Sequence, residues 1–283
     1  GLVGESGSGK STIGRMITRL LEPGSGTMTF EGQDITHITG RELRQFRPNV
    51  QMVFQDPYNS LNPRLTIEKI ISEPLRINKW GTRQNIQART RELLDAVGLS
   101  PRIADRLPHE FSGGQRQRVA IVRAIALNPK LVVCDEPVSA LDVSIQAKIL
   151  NLLVDLQQEF HLTYLFISHD LSVIRLLSDW IAVMYLGQIV ETAPADLLFS
   201  QQLHPYTQAL IEAIPEPYVR SGFSVLPGEI PSNVHPPKGC RFHTRCPKKM
   251  SMCERESPAL HEVEPGRCVA CFLHHKMNLE RRE

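Results

Sequence analysis

The sequence predicts an α/β fold built around a largely parallel sheet. Wholly apolar runs at residues 131–134 and 164–167 are typical of strands that are buried on both faces. Residues 145–160, which separate these runs, carry apolar side chains at the spacing of an α-helix. A glycine-rich turn at residues 4–11 lies between a short apolar stub and a helical pattern. Together these features give the strand–loop–helix order of an α/β domain.

The turn at residues 4–11 reads Gly-Glu-Ser-Gly-Ser-Gly-Lys-Ser and is a complete phosphate-binding loop, G-x-x-x-x-G-K-S. Its glycines allow successive backbone N–H groups to point at a phosphate, and the following helix adds its positive N-terminal end. Lys10 supplies a charge for the β- and γ-phosphates, and the Ser11 hydroxyl is a ligand for Mg²⁺. The alternative is a glycine-rich turn that matches by chance.

The helix after this loop is predicted from apolar residues that share one face, namely Ile13, Met16, Ile17, Leu20 and Leu21. The stretch Glu22-Pro23-Gly24 is expected to end it. Only three residues precede the loop, so we expect the first strands of the domain to be missing.

The remaining elements follow in order along the chain. Strands are predicted at residues 27–30 and 50–54, before a helical subdomain at about 58–125 that contains a helix at 83–97. The α/β domain is expected to span residues 1–214. The dense prolines of residues 215–237 then predict an extended linker, and residues 238–283 form a small cysteine-bearing module.

The composition narrows the class of protein. The 283 residues include 32 basic and 30 acidic side chains, so the charge gives no reason to expect a nucleic-acid partner. The sequence has no run of 18 or more apolar residues, so we expect a soluble cytosolic protein. Any membrane role would have to come through a partner.

Two further segments carry chemistry. Asp135 and Glu136 follow the apolar run 131–134, where open α/β sheets bind ligands, so Asp135 is expected to hold Mg²⁺ and Glu136 to polarise a water. A strand that ends in a solvated acidic turn is the alternative. Residues 112–115 read Ser-Gly-Gly-Gln and begin a helical pattern, which indicates either a second anion site or an ordinary helix cap.

These motifs resemble those of the nucleotide-binding subunits of ABC transporters. Residues 4–11 correspond to the Walker A loop, residues 112–115 to the signature motif, and Asp135-Glu136 to the end of Walker B. Gln55 resembles the Q-loop glutamine, and His169 the switch histidine. Residues 139–142 resemble the D-loop, and all six motifs occur in the family's order.

The resemblance implies a P-loop NTPase of the ABC type that uses ATP and Mg²⁺. Glu136, His169 and Gln55 would be catalytic, and Ser11, Gln55 and Asp135 would hold the metal. The nucleotide would be bound by Gly4, Glu5, Ser6, Gly7, Ser8, Gly9, Lys10, Ser11, Thr12, Ser112, Gly113, Gly114, Gln115 and Asp142. It also implies a head-to-tail pair in which the signature motif faces the partner's ATP.

Four segments are similar to the oligopeptide/dipeptide importer branch of this family, namely residues 51–64, 134–146, 226–231 and 239–247. The resemblance implies an ATPase subunit that powers peptide import from the cytoplasmic face of the inner membrane. Its expected partners are a related, non-identical ATPase chain, transmembrane permease subunits and, indirectly, a solute-binding protein. Nickel or glutathione import stays open, as do a soluble ABC-type ATPase in DNA repair or translation and a binding-only module.

Five of the six cysteines are found in the last part of the chain. Four thiolates can hold a [4Fe–4S] cluster, and the resemblance to related C-terminal extensions, which are able to carry one, favours it here. The expected ligands are Cys240, Cys246, Cys253 and Cys271. Zinc and free thiols are the alternatives. The spacing of the cysteines is poor evidence for a structural zinc site. Cys268 is then the spare thiol, and Cys134 in the Walker B strand is expected to be a buried small hydrophobe.

Overall fold

The computed structural model describes residues 1–214, 228–229 and 231–274. The strands are β1 Leu2–Val3, β2 Thr29–Phe30, β3 Gln33–Asp34, β4 Val50–Val53, β5 Leu131–Asp135, β6 Thr163–Ser168, β7 Trp180–Tyr185, β8 Gln188–Pro194, β9 His261–Glu264 and β10 Arg267–Val269. The α-helices are α1 Lys10–Ile17, α2 Gly40–Phe46, α3 Pro57–Ser60, α4 Ile67–Ile77, α5 Arg83–Ala96, α6 Gly113–Ile125, α7 Val143–Phe160, α8 Leu171–Leu177, α9 Ala195–Ser200 and α10 Pro205–Glu212. Short 3₁₀ turns occur at Arg47–Asn49, Pro101–Ile103, Pro108–Glu110 and Ser251–Glu254.

The chain divides into two compact units. One comprises Ser11–Ile167, and the other comprises Gly1–Lys10 together with Ser168–Glu283. No helix within the described residues is both long enough and apolar enough to cross a membrane.

The unit Ser11–Ile167 contains the parallel strands that the sequence predicts. β4 pairs with β5, and β5 pairs with β6, both in parallel, with Val53 opposite Cys134 and Asp135 opposite Ile167. The carboxyl ends of these strands therefore meet at one edge, where Asp135 is the last residue of β5. β2 and β3 form a separate antiparallel ribbon.

The predicted helical subdomain contains α3, α4, α5 and α6. Thr66 caps α4 by accepting a hydrogen bond from the Lys69 N–H, and Thr82 caps α5 in the same way. The inner faces of these helices are buried and apolar, and they include Ile67, Ile70, Ile71, Leu75, Leu93, Leu94, Val119, Ile121, Val122 and Ile125. This packing fixes α6, whose first turn is the predicted signature motif.

In the other unit, β1 pairs with β7 in parallel, and β8, β10 and β9 follow by antiparallel pairing. Two strands of the expected cysteine module therefore continue the sheet of β7 and β8, with Cys268 opposite Thr192. Of the expected linker, residues 215–227 and 230 lie outside the described residues. The boundaries at 214 and 237 stay a prediction.

The first helix ends earlier than its apolar pattern predicts. α1 stops at Ile17, and Arg19 adopts a left-handed φ of +54°. The Leu20 N–H then bonds to the Arg15 carbonyl at 2.8 Å, and the Leu20 side chain is 50% exposed. The expected apolar face therefore loses its last members, because the chain leaves the helix before Leu20 and Leu21 can face the core.

Candidate nucleotide-binding site

The phosphate loop connects β1 to α1, as its sequence predicts. Its backbone needs glycine at residue 4, where φ is +153° and an added Cβ would lie 2.1 Å from the Met184 carbonyl oxygen. Gly7 and Gly9 also have positive φ angles, of +78° and +103°. These conformations curl residues 4–9 ahead of the helix N-terminus that begins at Lys10. The loop therefore presents the backbone shape that binds phosphate.

The Lys10 ammonium group is buried within the loop that precedes it. It donates to the carbonyl oxygens of Gly4 at 2.8 Å and Glu5 at 3.0 Å, and it lies 3.5 Å from the Ser8 hydroxyl. The side chain is 5% exposed. Its charge therefore sits beside the same turn that is expected to receive the phosphates.

Ser11 and Asp135 are two of the three residues expected to hold Mg²⁺, and Gln55 is the third. The Ser11 hydroxyl donates to Asp135 Oδ1 at 2.8 Å, although 124 positions separate the two residues in the chain. Asp135 is 3% exposed at the end of β5. Oxygen ligands of these two types, within hydrogen-bond distance of each other, fit a small divalent cation that also contacts phosphate.

Gln55 and Glu136, two expected catalytic residues, also meet. Gln55 Nε2 donates to Glu136 Oε2 at 3.0 Å. Glu136 has a φ of +46°, which is rare for a residue with a side chain, and its N–H bonds to the Ile167 carbonyl at 2.9 Å. Such backbone strain is common at functional positions, where neighbouring contacts hold it.

The signature residues form the beginning of α6. The Ser112 hydroxyl accepts from the Gln115 N–H at 3.3 Å, while Gln115 Oε1 accepts from the Ser112 N–H at 3.0 Å. This reciprocal capping box leaves Ser112 and Gln115 exposed. Gly113 and Gly114 occupy the first turn, where a Cβ on Gly114 would lie 2.6 Å from Ile145 Cγ2. The structure therefore shows the helix cap that the sequence allows, and the anion site at the same turn stays a prediction.

Three further residues of the predicted site lie at exposed positions. Thr12 is exposed in the first turn of α1, and Asp142 is the N-cap residue of α7. His169 is exposed after β6, in the unit that also contains residues 4–10, and the neighbouring Asp170 caps α8. The roles of all three stay predictions.

Two contacts near the site were not anticipated from the sequence. The Arg116 guanidinium lies 3.5 Å from the centre of the Tyr58 ring and donates to its hydroxyl. It ties α6 to the helix that closely follows Gln55. The second contact is a two-pronged ion pair from Arg245 to Glu5 of the phosphate loop. Sequence spacing could not reveal either contact, because Arg116 and Tyr58 are 58 positions apart and Arg245 and Glu5 are 240 positions apart.

The four predicted cluster cysteines line one small cavity, together with His204 and Phe242. Burial, and after it the neighbouring thiols, raises the pKa of Cys271 to about 11. Yet the described residues contain no group of three or more His, Cys, Asp or Glu side chains placed to hold a metal ion. The structure therefore gives no support to the expected iron–sulfur cluster, because the thiols share a cavity without converging on one point.

The remaining two cysteines are separate from this cavity. Cys268, on β10, lies opposite Thr192 of β8, and its role as the spare thiol stays a prediction. Cys134 is fully buried in β5, as expected for a small hydrophobe, and burial raises the pKa of its thiol to about 12.

Comparison with known proteins gives concordant results for sequence and fold. The family described as ABC transporter matches residues 1–139, and the one described as Oligopeptide/dipeptide transporter, C-terminal region, matches residues 190–253. The oligopeptide transport ATP-binding protein AppF of Bacillus subtilis is 52% identical over 279 residues, which cover 97% of this chain and 85% of that protein. The probable peptide ABC transporter ATP-binding protein y4tS of Sinorhizobium fredii is 53% identical, over 96% of this chain and 78% of its own.

Solved structures agree with this result. The ATP-binding cassette MJ0796, in a dimer with ADP and Pi, matches with a TM-score of 0.62 and 32% identity, over 69% of this chain and 84% of its own. CbiO1 from Clostridium perfringens, part of an ABC transporter complex, matches with a TM-score of 0.64 and 29% identity, over 71% of this chain and 78% of its own.

The chain therefore belongs to the ATP-binding proteins of ABC transporters, and within them to the oligopeptide/dipeptide branch. Its fold is the ABC ATPase cassette, and the family couples ATP hydrolysis to transport.

Proposed function

We propose that this chain is the ATP-hydrolysing subunit of a membrane importer of peptides. The observation that carries the proposal is the meeting of Ser11 with Asp135 and of Gln55 with Glu136 at the ends of the parallel strands. The match of the C-terminal region to the oligopeptide/dipeptide transporter family, and of nearly the whole chain to peptide-transport proteins, supports the substrate class.

Hydrolysis in this proposal begins with a water held by Glu136. The carboxylate takes a proton as the water oxygen bonds to the γ-phosphorus and the bond to the β–γ bridging oxygen breaks. Ser11, Gln55 and Asp135 would hold Mg²⁺, which would supply positive charge to the phosphate oxygens. Gln55 orients the Glu136 carboxylate through the hydrogen bond described above. His169 contacts the γ-phosphate and senses its release.

The complete site needs two ATPase subunits. The exposed Ser112 and Gln115 at the start of α6 are available to a partner, and α6 offers the partner's nucleotide its N-terminal N–H groups. Asp142 would lie in the same interface. Two ATP molecules then stabilise the closed pair, and hydrolysis releases it. We propose a related, non-identical chain as the second subunit.

The rest of the assembly follows from the branch to which the chain belongs. Permease subunits span the membrane, a solute-binding protein delivers the peptide, and this chain works at the cytoplasmic face as a peripheral subunit. Residues 1–214 form the ATPase domain, residues 215–237 connect it, and residues 238–283 form a C-terminal extension.

Transport by the reconstituted complex tests the substrate class. Vesicles that contain this chain, its partner ATPase and the permease are loaded with ATP and supplied with the solute-binding protein. We expect accumulation of labelled di- and oligopeptides, and no accumulation when Lys10→Ala replaces the parent chain. Uptake of nickel or glutathione in place of peptides would contradict the peptide assignment while leaving the ATPase assignment intact.

We also keep the [4Fe–4S] cluster as a proposal that rests on the resemblance of the C-terminal extension, with Cys240, Cys246, Cys253 and Cys271 as its ligands. The four residues line one cavity, although the described residues contain no side-chain group placed to hold a metal ion. Iron and sulfide are measured in anaerobically purified protein, where about four of each per chain are expected. Cys253→Ser should remove them, and the matched control Cys268→Ser should not. Zinc in place of iron, or no metal at all, would contradict the cluster.

A further inference from the structure

The C-terminal extension contacts the phosphate loop directly. Arg245 Nη1 donates to Glu5 Oε2 at 2.8 Å, and Nη2 donates to Glu5 Oε1 at 3.1 Å. The Arg245 side chain is 5% exposed and the Glu5 side chain is 21% exposed. A buried guanidinium that binds both oxygens of one carboxylate is a strong and geometrically specific contact.

Two further contacts hold the same loop. The Glu5 N–H donates to the Tyr206 hydroxyl at 2.9 Å, and Asn233 Nδ2 donates to the Gly7 carbonyl oxygen. Phe242 of the extension packs on the Tyr206 ring, with 5.4 Å between ring centroids. The loop is thus held through side chain and backbone by residues from the far end of the chain.

Glu5 places an acidic side chain in the loop that would bind a triphosphate. Its carboxylate is negative, and it lies in the loop that must receive several phosphate charges. Its carbonyl oxygen also accepts from Lys10 Nζ at 3.0 Å, so the position of residue 5 bears on the position of the ammonium group. Arg245 therefore does two things: it neutralises the Glu5 carboxylate, and it fixes the turn against which Lys10 is placed.

We propose that Arg245 is a positioning residue of the ATP site, through which the C-terminal extension sets the affinity of the phosphate loop for nucleotide. This inference rests on the proposed function, because it takes residues 4–11 as the ATP-binding loop. It gives the extension a role in ATP binding that does not depend on any metal.

The test is the dissociation constant of a fluorescent, ribose-labelled ATP for the full chain and three variants. Arg245→Met should raise the constant about tenfold, the size expected for losing a hydrogen-bonded charge partner. Adding Glu5→Gln to Arg245→Met removes the unpaired carboxylate and should return the constant to within about threefold of the parent. The weakening in Arg245→Met should also shrink between ~0.05 and ~0.5 M salt, since screening acts on the unpaired charge.

Lys249→Met is the matched control, because Lys249 pairs with Glu254 at 3.2 Å on the exposed surface of the same extension. It should leave the constant unchanged. If Arg245→Met fails to fold, Arg245→Lys keeps the charge but loses the two-pronged contact, so it should raise the constant about threefold, and an unchanged constant in Arg245→Lys would then overturn the inference. An unchanged constant in Arg245→Met, or a double variant as weak as the single one, would overturn the inference.

A fourth variant separates this inference from the function on which it rests. Lys10→Ala should abolish ATP binding. Equal binding by the parent and Lys10→Ala would contradict the nucleotide site itself. Loss in Lys10→Ala together with parent-like binding in Arg245→Met would contradict only the role of Arg245.

Discussion

Replacing Glu136 by glutamine removes the expected general base and little else. The two side chains have the same shape, and a glutamine amide oxygen can still accept the 3.0 Å hydrogen bond from Gln55 Nε2. The backbone bond from residue 136 to the Ile167 carbonyl is untouched. The change therefore removes proton acceptance, which contributes about 10²–10⁴-fold to the rate, or roughly 3–5 kcal/mol of the barrier.

The assay is phosphate release by the chain assembled with its permease and partner ATPase. We expect Glu136→Gln to lower the maximal rate by about 10²–10⁴-fold while the dissociation constant of ATP changes by less than about threefold. Glu159→Gln, the same substitution at an exposed position of α7, is the control and should retain the parent rate. Because hydrolysis opens the closed pair, the variant should also accumulate as a stable ATP-bound pair of ATPase subunits.

A parent-like rate in Glu136→Gln would refute the role of this carboxylate. So would a large loss of ATP affinity without a change in the maximal rate, because that result places Glu136 in ground-state binding.

Three other substitutions test separate parts of the account. Gly114→Ala places a Cβ 2.6 Å from Ile145 Cγ2, so it should lower the free energy of unfolding by about 1–3 kcal/mol, measured by denaturant titration. A stability equal to the parent's would show that α6 shifts freely. Ser11→Ala should raise the Mg²⁺ concentration for half-maximal ATP hydrolysis about tenfold or more, and an unchanged Mg²⁺ dependence would remove Ser11 from the metal site. Burial raises the pKa of the Cys134 thiol from 9.0 to about 12, so above pH 9.0 the thiol ionises in the unfolded chain only. The free energy of unfolding should therefore fall by about 1.4 kcal/mol per pH unit above 9.0, and Cys134→Ala should lack that part of the alkaline slope.

The candidate nucleotide site could be predicted from the sequence, because each part of it is a local sequence pattern. The loop at 4–11 prescribes its own backbone, and a buried strand delivers Asp135 and Glu136 to a defined edge of the sheet. The phosphate-loop motif predicts a metal-binding hydroxyl at Ser11, and the structure places this hydroxyl 2.8 Å from Asp135 Oδ1.

Other features depend on contacts that no local pattern records. The end of α1 at Ile17 follows from a left-handed turn at Arg19, which the apolar spacing of residues 13–21 does not indicate. The pairing of β10 with β8 and the ion pair of Arg245 with Glu5 join segments that are far apart in the sequence, so no local pattern predicts them. The sequence predicted that the four cysteines lie close together, and they line one cavity in the structure. Their spacing did not predict how the thiols are arranged within it.

The central claim is that ATP hydrolysis by this chain powers peptide import. The most direct measurement is the rate of phosphate release by the reconstituted complex, recorded together with peptide uptake, as peptide-loaded solute-binding protein is added. The account predicts that both rates rise together and that both vanish in Glu136→Gln. Peptide uptake that persists in Glu136→Gln, or phosphate release that no transported solute accelerates, would contradict it.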